Sequence, residues 1–121
     1  MAQPVLRVDF TPDGRMGRGK AQLLEGIRDS GSIAAAGKAM NMSYRRAWLL
    51  VQEMNRMFGQ PVVEPQRGGR QGGGTVLTGF GQELLARFRQ MEQAAAAAIA
   101  ADLRWLADQR GRGGALSAPE E

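Results

Sequence analysis

The residues of this chain best equipped for chemistry are Ser43-Tyr44-Arg45-Arg46. Two consecutive guanidiniums follow a hydroxyl and a phenol. Each guanidinium is a planar fork of donors that matches the acceptor pair on a guanine edge or the oxygens of a phosphate. The serine is an N-cap by type, and the free amides of a helix behind such a cap hold an anion with help from the helix dipole. Tyr44 can donate to a phosphate or pack on a sugar. A like hydroxyl, Ser32, stands upstream, and a second polar set, Arg67, Arg70 and Gln71, sits among the glycines of 65–74. All of these groups suit a polyanion.

The remaining inventory is poor in other chemistry. The 121 residues include no histidine and no cysteine. Tight zinc, copper or haem sites lose their usual ligands, and a Ser or Cys nucleophile loses its usual base. No metal, no cofactor and no catalytic residue is expected, so the chain reads as a non-enzyme. Gly68-Gly69-Arg70-Gln71-Gly72-Gly73-Gly74 lacks the Lys-Ser/Thr ending and following helix of a nucleotide-binding loop. Net charge is +4. No acidic residue falls between Asp29 and Glu53, where Lys38, Arg45 and Arg46 occur. Such a basic stripe is the footprint of a nucleic-acid binder or an ordinary solvated surface. The length suits one domain, without a membrane span or secretory leader, and the expected location is the cytoplasm.

The elements that must position these groups can be read in order. Residues 3–10 alternate as a strand, with Leu6, Val8 and Phe10 on one face, and Thr11-Pro12-Asp13-Gly14 turns the chain. A first helix spans about 17–29 and ends at Ser30-Gly31. Ser32 caps a short, small-residue helix over 33–40, whose alanines and glycine permit close helix approach. Ser43 caps a third helix over 44–58. At about 100° per residue, Ala47, Leu50, Val51, Met54 and Phe58 form its core face, and Arg45, Leu49, Gln52 and Arg56 its outer face. Tyr44, Trp48 and Asn55 line one flank, with Trp48 expected to pack, and Arg46 lies on the other flank near Glu53 and Met57. Strands over 62–64 and 75–77 enclose the glycine-rich tip. Thr78 then caps a long last helix over 79–108, and the Gly/Pro/Ala-rich 111–121 reads as a disordered tail. The fold class is mainly α with a small β-hairpin, a winged helix-turn-helix over 1–110.

Ser30-Gly31-Ser32-Ile33, Ser43-Tyr44-Arg45-Arg46-Ala47-Trp48, Glu53-Met54-Asn55, Val63-Glu64, Gly68 to Thr78 and Gly81-Gln82 together resemble the N-terminal DNA-binding domain of the ModE family of molybdate-responsive transcriptional regulators, a LysR-like winged helix. The resemblance spans about residues 5–108. It implies a sequence-specific regulator that binds double-stranded DNA through Ser32, Ser43, Tyr44, Arg45 and Arg46, with Arg67, Arg70 and Gln71 on the flanking backbone. It also implies a homodimer. Leu84, Phe88, Met91, Ala95 and Ile99 of the last helix are the expected seam. Full-length family members continue into a molybdate-binding module, and the expectation is a chain without it. Two alternatives stay open: an interaction module that pairs with a full-length regulator carrying a sensor domain, and an oxyanion sensor built on the glycine-arginine wing.

Overall fold

Apolar residues at helical spacing set the frame. Leu23, Leu24 and Ile27 of α1 (Arg18–Ser30) are fully buried, as are Ala47, Val51 and Met54 of α3 (Tyr44–Phe58). Between them lies α2 (Ile33–Ala39), a single short helix whose buried residues are Ile33, Ala36 and Gly37. The computed structural model describes residues 2–66 and 74–112. Two antiparallel strand pairs flank the helices: β1 (Arg7–Asp9) with β2 (Arg15–Gly17), and β3 (Val63–Pro65) with β4 (Thr75–Leu77). A long α4 (Gly79–Ala98) packs back on α1 and β4, and α5 (Ala100–Arg112) follows it. The order is that of a winged helix-turn-helix. No helix among the described residues is long and apolar enough to cross a membrane.

Local chemistry explains the boundaries. Ser32, Ser43 and Thr78 each accept a hydrogen bond from the backbone N–H three residues ahead, at 3.0, 3.1 and 2.9 Å. Each cap satisfies a donor that has no partner inside its helix. α1 ends at Gly31 with φ 73°, and its N–H returns to the Ile27 carbonyl at 2.8 Å. In the turn between α2 and α3, Asn41 adopts φ 58°, a conformation asparagine tolerates better than most side chains. The helices approach through small residues: a Cβ on Gly26 would meet Ala36, and one on Gly37 would meet Ala47, both at 2.9 Å.

Three sequence expectations change. Arg15–Gly17 forms a strand paired with β1, so Gly17 is the extended N-cap of α1 rather than its first helical residue. That triplet has no alternation to betray it; pairing across the 10–14 turn, closed by the Phe10 N–H on the Gly14 carbonyl, makes the strand. The strand expected over 3–10 is confined to Arg7–Asp9, and Phe10, just past it, is 40% exposed and meets Phe58 edge-on at 5.8 Å. The last helix is interrupted at Ile99 (φ −109°, ψ 13°), after an alanine run that offers nothing large to pack, and resumes to Arg112 instead of stopping at Asp108. Residues 113–121, most of the expected tail, lie outside the described residues.

At the start of α4 the chain passes so close to β3 that a Cβ on Gly81 would overlap the Val62 carbonyl oxygen, which itself accepts from the Thr78 N–H at 3.0 Å. Gly79, two residues earlier, faces open space. Gly81→Ala is therefore expected to lower stability by more than about 2 kcal/mol, whereas Gly79→Ala is neutral or stabilising by up to about 1 kcal/mol. Urea denaturation midpoints of the two variants check the contrast.

Candidate nucleic-acid interface

The first turn of α3 opens to solvent, and its charged side chains are all positive. Tyr44, Arg45 and Arg46 are exposed, and the turn has no acidic residue. The Ser43 Oγ accepts from the Arg46 N–H, which leaves its own proton free to donate to an anion. Arg45, Arg46 and Arg56 form no ion pair among the described residues. A positive helix end with free cationic side chains is suited to a negatively charged surface.

The two neighbouring arginines serve different surfaces. Arg45 shares the outer face of α3 with exposed Leu49 and Arg56. Arg46 lies a third of a turn away and lines a cleft with Leu50, Glu53 and the N-terminal hairpin. Trp48, expected to be partly buried, is 41% exposed and stands with Tyr44 (54%) beside the outer face. Leu49, at 48%, adds exposed apolar surface there. Indole and leucine on a surface helix are costly to hydrate, but they suit contact with a sugar or a thymine methyl. Helical spacing carried the signal, since it puts Trp48 and Leu49 outside the core face of α3.

What holds α3 in place is buried and polar. Lys20 is only 7% exposed, and its Nζ donates to the Arg15 carbonyl at 2.6 Å and to Glu53 Oε1 at 3.0 Å. One ammonium thus joins β2, α1 and the middle of α3. Asn55, on the next turn of α3, accepts from the Val62 N–H through Oδ1 at 2.8 Å and so fixes the chain entering the wing. The wing is docked on the helix-turn-helix by a backbone bond from the Thr75 N–H to the Gly31 carbonyl at 2.9 Å. Its base is closed by the Gln66 N–H on the Gly74 carbonyl at 3.0 Å. Arg67, Arg70 and Gln71, the expected wing contacts, lie outside the described residues. Ser32 caps α2 and is half-buried.

The expected seam residues divide. Phe88 is 2% exposed and belongs to the domain's own core, so it cannot project to a partner as an anchor; Leu84 is half-buried against that core. Phe88 instead lies under an apolar groove of about 440 Å³ formed with Phe10, Phe58, Phe80, Leu84 and Met91. Met91 and Ile99 are exposed, and Ala95 is half-buried. Beyond Ile99, α5 has no buried residue and exposes Trp105 (60%) and Leu106 (52%), neither of them among the expected seam residues.

Known proteins share this arrangement. No protein-family model matches the chain. The chain is 44% identical over 78 residues to the molybdenum-pterin-binding protein MopB of Rhodobacter capsulatus, covering 64% of this chain and 29% of that protein. It is 42% identical over 73 residues to the molybdenum transport protein ModE of Azotobacter vinelandii (60% and 27%). With the DNA-binding transcriptional dual regulator ModE of Escherichia coli K12 it shares 39% over 74 residues (61% and 28%). Over this stretch the chain is ModE-like. It matches less than a third of the length of these relatives. Among solved structures, the CbnR DNA-binding domain in its DNA complex superposes with a TM-score of 0.56 at 22% identity, covering 74% of this chain and 95% of that one. That likeness establishes the winged helix fold.

The Lys20–Glu53 pair is asymmetric, with side chains 8% and 33% exposed. Neutralising the half-solvated partner strands a buried ammonium; removing the ammonium leaves a carboxylate that water can reach. Glu53→Gln is expected to cost roughly 1–3 kcal/mol and Lys20→Met less. Chemical denaturation of both variants tests the order, and a larger loss for Lys20→Met would show that its packing and carbonyl bond outweigh its charge.

Proposed function

We propose that this ModE-like chain is a sequence-specific, DNA-binding transcription regulator tied to molybdenum handling, in which α3 enters the major groove and the wing follows the flanking backbone. The observation that carries the reading is the first turn of α3, the second helix of the helix-turn-helix: a capped, exposed helix end with arginines that form no ion pair among the described residues and no acidic residue. An α-helix presented this way reaches base edges through its N-terminal side chains. The names of the relatives support both halves of the proposal, DNA binding and molybdenum. Arg45 is the base reader by position on the outer face. Action on DNA would place the protein in the cytoplasm.

The working form is a two-fold dimer. A 13-residue helix with no buried residue is marginal alone in water. Trp105, Leu106, Ile99 and Met91 together present apolar surface on α4 and α5, and the groove over Phe88 offers more. Two copies joined there would set half-sites about one helical turn apart, or a multiple of it.

Arg45→Ala is expected to cost about 1–3 kcal/mol on a selected operator and much less on a scrambled duplex. Anisotropy titrations against both sequences decide it, because an equal loss on the two would reduce Arg45 to a phosphate contact. Replacing both Trp105 and Leu106 by Glu is expected to convert the dimer into a folded monomer in sedimentation. A dimer that survives the change places the seam elsewhere.

A further inference from the structure

A second basic surface lies beside α3, along its Arg46 flank, with the N-terminal hairpin and the start of α1. It is a cleft of about 750 Å³, lined among others by Arg7, Arg15, Arg18, Lys20, Arg46 and Glu53. Five cationic side chains thus face one carboxylate. Internal pairing leaves most of the excess intact. Glu53 is taken by Lys20, and Arg7 is held by Asp9 at 2.9 Å. Arg15, Arg18 and Arg46 are exposed and form no ion pair among the described residues. The start of α1, which lines the cleft, adds no acid: Gly17 caps it without a side-chain bond, and its first turn has no acidic residue.

We propose that this cleft binds phosphate-type oxyanions through Arg15, Arg18 and Arg46. Guanidinium forks around a polar, open cleft match the tetrahedral oxygens of that group. The breadth of the cleft favours a stretch of phosphodiester backbone over one small ion. Its position favours DNA as the source, because Arg46 belongs both to this cleft and to the first turn of α3. A duplex read by the outer face of α3 would carry its backbone past Arg46 and towards Arg18 and Arg15. Arg46 is then a backbone contact and Arg45, its sequence neighbour, a base contact. The DNA source rests on the proposed function above; the oxyanion chemistry of the cleft does not.

The test uses the full chain with a duplex of arbitrary sequence and, separately, with free sulfate, phosphate and molybdate. Arg15→Gln and Arg18→Gln are each expected to lower the slope of log K against log salt by about one unit, with lysine at either position restoring it. Arg104→Gln, an equal charge loss on exposed α5, is expected to leave the slope unchanged. Arg46→Ala is expected to weaken operator and scrambled duplex equally. If free ions are the source instead, they raise the melting temperature of the wild type and not that of the doubly substituted Arg15→Gln/Arg18→Gln chain, while the DNA slope stays constant. A wild type without salt-dependent DNA binding would remove the DNA reading but leave this ion arm decisive. The proposal is overturned if the double substitution changes neither the slope nor the stabilisation by ions, or if Arg104→Gln lowers the slope as much as the cleft variants.

Discussion

One buried ammonium organises the front half of this domain. Lys20 sits at the third position of α1, yet it bonds backward to the Arg15 carbonyl of β2 and across to Glu53 in the middle of α3. A lysine held away from water is stable only with its charge matched and its donors engaged. That requirement fixes three elements relative to one another: the hairpin cannot lift from α1, nor α3 slide along it, without stranding the charge. The buried Leu23, Leu24, Ile27, Val51 and Met54 supply the non-directional attraction, while the ion pair supplies register.

The rest of the geometry follows from how closely the chain can approach itself. Gly26 against Ala36 and Gly37 against Ala47 bring α1, α2 and α3 within contact at small residues. This compact helix-turn-helix leaves the outer side of α3 with nothing to pack on, which is why Tyr44, Trp48 and Leu49 remain in solvent. The root of the wing is then placed by the buried side chains of Val62 and Leu77 together with hydrogen bonds. Val62 is held at its N–H by Asn55 and at its carbonyl by Thr78, and Thr75 is held by Gly31.

Features that depend on local chemistry were legible in the chain. The caps Ser32, Ser43 and Thr78, the left-handed Gly31 and the full span of α3 are each decided within a few residues. Features decided by distant partners were not. β2 exists because Arg15–Gly17 meets Arg7–Asp9, and nothing in its own triplet announces a strand. How far Trp48 is exposed is not legible, because helical spacing gives a direction but not whether a neighbour stands there. Periodicity alone puts Phe88 on the seam, because it cannot distinguish the face that packs on the domain's own core from the face that meets a partner. The basic cleft was invisible for the same reason: its arginines come from β1, β2, α1 and α3, and only folding assembles them.

The interruption at Ile99 turns the end of the chain into a lever. The Ile99 N–H still reaches Ala95 at 3.2 Å, and the Leu103 N–H reaches Ile99 at 2.9 Å, so hydrogen bonding is continuous while the backbone leaves helical angles for one residue. A 13-residue arm beyond that point is about 20 Å long, so a bend of about 10° moves its tip by roughly 3 Å, close to the rise of one base pair. In a dimer joined through α5, the torsion angles of a single isoleucine would thus scale the distance between two reading heads. Stiffness at that residue, more than the strength of any contact, would decide which half-site spacings the pair can span.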